Sequence, residues 1–212
     1  YNVRTDGVGD RSISYKNALP QGKIFGWDDT KPFKIHQLLT IHSSTYRTAL
    51  MKKAADIEPL PKHVFYEDNL MVYRVLQYVE KMYYMNIDLY RYWIGRPDQS
   101  VQQSTMMKRY THHLFVSEKI FTSCHLDDIK EPKLKRYLKH EIFMLFAIAI
   151  LPTRMNKTKQ HDEDMKKIQE MEDSMSYGSN AAMMAGRMTT ATANAMETAA
   201  GNSAGAMTGF MG

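Results

Sequence analysis

The sequence predicts an α/β fold that continues into a helical extension, and three observations carry that expectation. Residues 1–100 mix strand-like and helix-like patterns. Residues 101–173 repeat apolar positions at helical spacing. Residues 174–212 then change to Ala, Met, Gly, Thr and Asn, with Arg187 and Glu197 the only charges.

Each element follows from local chemistry. Residues 1–22 read as turn-rich, punctuated by "DGVGD" and "LPQGK", while Ser12–Lys16 alternates and suits a strand. "IFGWDDTKPF" is a loop with Gly26 and Pro32. From Ile35 to Ala54 the pattern is helical or mixed, and Ser43-Ser44-Thr45 suits the cap of a short helix starting near Tyr46. Pro59 and Pro61 bracket a break, and His63–Tyr66 has strand composition. "NLMVYRVLQYVEKM" places apolar residues at 72, 76 and 79 and at 71, 75 and 78, which is helical spacing. "YYMNIDLYRYWI" is dense in aromatic and β-branched residues around Asn86 and Asp88, and reads as strand, turn, strand.

Beyond Pro97 the expectation is helical. Met107, Tyr110, Leu114 and Phe121 recur at helical spacing, and so do Leu134, Leu138, Ile142, Leu145 and Ala149 behind Pro132, a residue suited to a first turn. A charged helix is expected from about Lys157 to Glu172. The apolar run Ile142–Leu151 is about half the ~20 residues needed to span a bilayer, so it reads as a buried helix, with an interfacial helix as the alternative. The composition of the 174–212 tail cannot easily offset the entropy of ordering, and it reads as disordered or weakly helical.

At 212 residues, 43% hydrophobic and 24% charged, the chain can build one ordinary soluble core. Its single cysteine, Cys124, rules out an intramolecular disulfide and fits a reducing compartment. No signal peptide is visible at Tyr1, and the start reads as a cut through a longer protein. The net charge of +5 sits mainly between Lys108 and Lys159. That surface suits nucleic acid, anionic lipid or an anionic substrate, or is simply a solvated helix face. The aromatic residues cluster at 73–93 and the basic ones later, so no interleaved base-stacking face is evident and nucleic acid is not the expected partner, while a non-catalytic basic helical module binding an anionic membrane or nucleic acid stands as the alternative reading.

Four groups of residues are chemically suggestive. Glu67-Asp68 stands at the head of a helix pattern, where a carboxylate either caps the free N–H groups or serves as a base facing a pocket. "LYRYWIGRPDQSV" puts Arg91 and Arg96 near Tyr92 and Trp93, an arrangement for holding diphosphate and stacking a ring; a strand with core aromatics and snorkelling arginines fits it as well. Asp28-Asp29 beside Trp27 suits Mg²⁺ or, more simply, an Asx-type turn. Among the eight histidines His112 and His113 are adjacent, on different faces of a helix, and no zinc signature appears. No phosphate-binding glycine loop or nucleophile elbow is present.

The ordered set "HSSTYRTALM", "FYEDN", "LYRYWIGR" and "DQSV", within "LPKHVFYEDNLMVYRVLQYVEKMYYMNIDLYRYWIGRPDQSV", resembles the C-terminal half of bacterial family 2 glycosyltransferases of the GT-A type. The likeness is greatest to the Gram-positive group associated with surface or exopolysaccharide glycans, and it runs from about Ser12 to about Leu151.

The resemblance implies that residues 1–100 are the C-terminal portion of a GT-A catalytic domain, part of its mixed sheet with helices, and that the enzyme inverts configuration. It implies that Asp68 is the general base and that Glu67 orients the site. His42 and Arg47 would line the acceptor side with Trp27 as an acceptor-contacting aromatic, and Arg91, Arg96, Gln99 and Ser100 would close over the donor diphosphate. The implied partners are a nucleotide-sugar donor and a glycan or lipid-linked acceptor, in the cytoplasm, with the basic face suited to peripheral contact with an anionic membrane. The family's nucleotide-binding units and its DxD-type motif for a divalent metal, Mg²⁺ or Mn²⁺, would lie upstream of the matching residues, so the metal's ligands are not expected in this chain.

Overall fold

Two small sheets and six helices of a computed structural model describe residues 1–5, 9–94, 99–100, 102–123, 126–155 and 159–176. The first sheet is three-stranded. Strand β1 (Asn2–Thr5) runs antiparallel to β2 (Gly9–Ser12). The strand Arg91–Ile94 pairs parallel with β1 on its other side. The second is a short antiparallel ribbon of β3 (Ile24–Phe25) and β4 (Met82–Tyr83), so Arg91–Ile94 is β5. The α/β class is therefore observed.

Several expectations for this part are corrected. The turn-rich start contains the central strand β1, a four-residue segment whose local signal is short and whose ladder closes only on distant β5. The strand expected at Ser12–Lys16 ends at Ser12. Ser14–Lys16 instead makes side-chain bonds, the Tyr15 hydroxyl donating to the Leu38 carbonyl at 2.6 Å and the Tyr15 N–H donating to the Tyr84 hydroxyl at 2.8 Å. Strands β4 and β5 do flank Asn86 and Asp88, but each pairs with an N-terminal strand rather than with the other.

The helices are α1 (Thr48–Ala55), α2 (Glu67–Leu76), α3 (Gln103–Lys108), α4 (Tyr110–Ser123), α5 (Pro132–Met155) and α6 (His161–Ser176). Pro132 opens α5 as expected, its missing N–H costing nothing in a first turn. Arg47 precedes α1 without a side-chain cap. The Ser43 hydroxyl is used one turn earlier, donating to the Thr40 carbonyl at 2.9 Å. His63–Tyr66 is not a strand: His63 and Tyr66 both take left-handed backbone conformations, φ 62° and 73°.

The core explains why these helices stay together. Leu70, Val72, Tyr73, Val75 and Leu76 of α2 pack with Val116 and Ile120 of α4 and with Leu134, Tyr137, Leu138, Ile142 and Leu145 of α5. Each such side chain contributes roughly 1.5–3 kcal/mol on burial. A second cluster under the three-stranded sheet joins Val3, Ile13, Tyr15, Phe25 and Ile94. Helix α6 docks through Ile168 and Met171 against Leu114 and Phe146.

Residues on both sides of position 100 thus share one core. Within the run Ile142–Leu151, residues Ile142, Leu145, Phe146 and Ala149 face inward. Among the described residues no helix is long and apolar enough to cross a membrane. The one buried arginine of α2, Arg74, is fully engaged. It donates to the Glu58 carbonyl at 2.7 Å and the Ser123 hydroxyl at 3.1 Å, and pairs with the Glu58 carboxylate at 3.1 Å.

Candidate functional site

The N-terminal end of α2 is unlike the rest of that helix. Its cap position is Tyr66, in the left-handed region and without a capping side chain. A bulky residue there costs on the order of 1–3 kcal/mol and persists only where its surroundings over-determine it.

Those surroundings come from α4 and from residues 99–100. The Tyr66 ring stacks on His113 at 3.4 Å between centroids, and its hydroxyl donates to the Ser100 carbonyl at 2.8 Å. The Phe65 N–H donates to His112 Nδ1 at 3.0 Å, and the Arg109 guanidinium lies 4.3 Å from the centre of the Phe65 ring. The Tyr66 carbonyl, turned back over the helix, accepts from the Asn69 N–H at 3.1 Å.

Glu67 and Asp68 are the first two residues of α2, and both are half-buried. Loss of solvent pushes the Asp68 carboxyl above its ordinary range. The Asn69 N–H pulls it back, and the neighbouring charge of Glu67 pushes it further up. The Asn69 side-chain amide reaches Asp68 Oδ1 at 3.4 Å.

Burial also drives the Tyr66 hydroxyl up to about 12; Arg109 opposes that shift, and Asp68 and Tyr92 add to it. Buried His113, 5% exposed, is pushed down to about 3, so its ring is neutral at pH 7. The Tyr66 turn and the half-buried Asp68 that follows it thus form one corner, in which the Tyr66 hydroxyl lies within the electrostatic reach of Arg109, Asp68 and Tyr92.

The other sequence-predicted residues divide. Ser100 is tied to the corner through Tyr66, and buried Gln99 reaches β5 by donating its amide to the Trp93 carbonyl. His42 sits 5.1 Å from Tyr92 and 5.0 Å from Tyr90, with Tyr1 at its edge, and burial lowers it to about 4. His42 thus belongs to an aromatic cluster with Tyr1, Tyr90 and Tyr92.

Three predicted residues lie elsewhere. Trp27 is a core residue, 3% exposed, its indole N–H donating to the Val79 carbonyl at 2.7 Å and its ring tilted on Tyr137 at 5.5 Å. An acceptor sugar cannot reach a ring enclosed in that way, so its expected acceptor contact is corrected. Arg47 is exposed at the start of α1. Arg91 is exposed too, and strand alternation puts it on the sheet face of Trp93, opposite Tyr92. Arg96 lies outside the described residues.

Tyr66, Arg109 and the His112-His113 pair were not expected at this site. The adjacent histidines were visible, but only the packing of α4 on α2 shows what they hold.

Asp28-Asp29 serves a turn: the Asp29 carboxylate accepts from the Gly26 N–H at 3.1 Å, within the 3-10 turn Trp27–Asp29. Among the described residues no cluster of three or more His, Cys, Asp or Glu is placed to hold a metal ion. The basic stretch of α5 is partly engaged, Lys133 with the Thr30 carbonyl at 2.8 Å and Lys135 with Asp127 at 2.8 Å, while Lys130, Arg136 and Lys139 are exposed. No family model, curated protein or solved structure matches the chain.

Proposed function

We propose that this chain is the acceptor-and-base portion of an inverting, GT-A-type family 2 glycosyltransferase. The single observation that carries the reading is Asp68: a half-buried carboxylate at the head of α2, its proton affinity raised by burial, directly after the left-handed Tyr66 whose hydroxyl holds the Ser100 carbonyl. Its place within the ordered motifs "FYEDN", "LYRYWIGR" and "DQSV" supplies the reaction class.

In this reading an acceptor hydroxyl enters the corner and hydrogen-bonds Asp68. Its oxygen attacks the anomeric carbon of a nucleotide-sugar from the face opposite the leaving group. The C–O bond to the diphosphate breaks as the new glycosidic bond forms, and the acceptor proton passes to the Asp68 carboxylate. Desolvation assists, because a carboxylate whose affinity for a proton is raised toward the working pH is a stronger base. Glu67 raises that basicity by its own charge.

The divalent metal that the resemblance implies would neutralise the donor diphosphate on residues outside this chain. In this reading Gln99 and Ser100 border the donor side, and His42 the acceptor side, as the resemblance implies. The acceptor is a glycan or lipid-linked saccharide, and the exposed Lys130, Arg136 and Lys139 suit an enzyme working at the inner face of an anionic membrane.

The test is sugar transfer by the full-length gene product carrying Asp68→Asn. Loss of a positioned base lowers kcat by about 10²–10⁴-fold. Transfer at the wild-type rate would overturn the assignment.

A further inference from the structure

The adjacent histidines of α4 take no part in the chemistry proposed above, yet both grip the segment that carries Asp68. His112 Nδ1 accepts the Phe65 N–H at 3.0 Å, and its ring meets the Phe65 ring edge-on at 5.8 Å. His113 underlies the Tyr66 ring at 3.4 Å and 20°. Consecutive residues of one helix thus hold consecutive residues of one turn. That turn contains the left-handed Tyr66 directly before Glu67-Asp68.

We propose that His112 and His113 are positioning residues, which lock the Phe65-Tyr66 turn and thereby fix where the Asp68 carboxylate stands. The proposal rests on the reading of Asp68 as the base. A strained turn relaxes when its outer contacts are lost, and the residues directly after it are the first to move. Displacing a catalytic group by about 1 Å costs on the order of 10²-fold in rate. His112 is not free to ligate a metal, because its Nδ1 accepts the Phe65 N–H and its proton then sits on Nε2.

The lock has a defined protonation state. His112 accepts at Nδ1 only while neutral, its proton on Nε2. Desolvation depresses its proton affinity first, and the charge of Arg109, the residue directly before α4, adds to it. From the turn before α2 come the Phe65 N–H and ring, neither of them charged. Protonation would set an N–H at Nδ1 against the Phe65 N–H, opening the turn on the acid side of neutrality.

The experiment uses two variants of the full-length protein and two readouts, with Asp68→Asn alongside. His112→Leu removes the acceptor. His112→Asn places a carbonyl oxygen near the Nδ1 position and carries no proton.

Amide exchange of a peptide covering Phe65 and Tyr66 is expected to quicken by about tenfold in His112→Leu, the size of one lost hydrogen bond, and to return toward wild type in His112→Asn. The kcat for transfer should fall about 10–100-fold in His112→Leu, with KM for the donor unchanged, and recover within about threefold in His112→Asn.

Unchanged exchange in His112→Leu overturns the lock, whatever the transfer rates. So does faster exchange with an unchanged kcat, if Asp68→Asn abolishes transfer in the same assay. Should Asp68→Asn keep full activity, the base assignment fails, and the exchange readout alone decides whether the histidines hold the turn.

Discussion

Helices α2 and α5 each have a carboxylate at their start, and they use it differently. At the start of α5, Glu131 accepts from the Lys133 N–H at 3.1 Å and from the Leu134 N–H, taking up two of the N–H groups that a first turn leaves unpaired. At the start of α2, the cap position belongs to Tyr66, and no side chain caps it. Asp68 sits inside the first turn, half-buried and short of solvent, with its affinity for a proton raised. A cap spends its carboxylate on the backbone. Asp68 meets the Asn69 N–H and its own N–H, yet burial still leaves its affinity for a proton raised, and a strained aromatic turn directly precedes it. Of the two roles the sequence allows for the Glu67-Asp68 pair, the contrast with Glu131 favours the base.

The largest test of that contrast is catalytic: Asp68→Asn should remove about 10²–10⁴-fold of transfer activity, while Glu131→Ala leaves kcat unaltered. Equal losses in both would erase the distinction. Next in size is the body of α2. Arg74→Ala takes its bonds from the Glu58 carbonyl and the Ser123 hydroxyl and empties a fully buried site, while the Glu58 carboxylate keeps Lys119 at 2.7 Å; it should destabilise the fold by about 1–3 kcal/mol, read from urea unfolding.

Smaller is the capping effect itself. Glu131→Ala should cost roughly 0.5–2 kcal/mol, the range for a lost N-cap. Asp68→Asn should change stability by less, because its carboxylate is not the cap.

The last effect is one of pH. Buried Glu141, 2% exposed, has its carboxyl held well above the ordinary range by desolvation. The native state therefore keeps a proton that the unfolded chain releases near 4.5, and stability falls as pH rises above that value. Glu141→Gln removes this slope, so the variant should gain on wild type with rising pH, by at most about 1.4 kcal/mol per pH unit for one proton. His113, held down to about 3, acts with the opposite sign: its share of stability is lost as pH falls below 6.5.

Helix α2, helix α5 behind Pro132, and the inward stripe of Leu134, Leu138, Ile142, Leu145 and Ala149 were all legible in the chain, because a helix announces itself by a 3.6-residue period. Strand β1 was not, since four residues carry too few alternations to read and its ladder closes on β5 some ninety positions later. At the site, Glu67 and Asp68 stood out as an acidic pair at a helix start. Trp27 did not declare itself as core, because an aromatic beside two aspartates looks the same whether its ring points inward or out.

By itself, then, the sequence determined the helices, the apolar stripes that join them, and the position of an acidic pair at the head of α2. These depend on the spacing of neighbours a few residues apart. Tertiary structure alone decided that Tyr66 turns left-handed, that His112 and His113 reach back to hold that turn, and that Asp68 loses its water. Left-handed tyrosine has no local signature, and desolvation belongs to whatever packs around a group. The first arises where α4 meets α2, from residues more than forty positions apart.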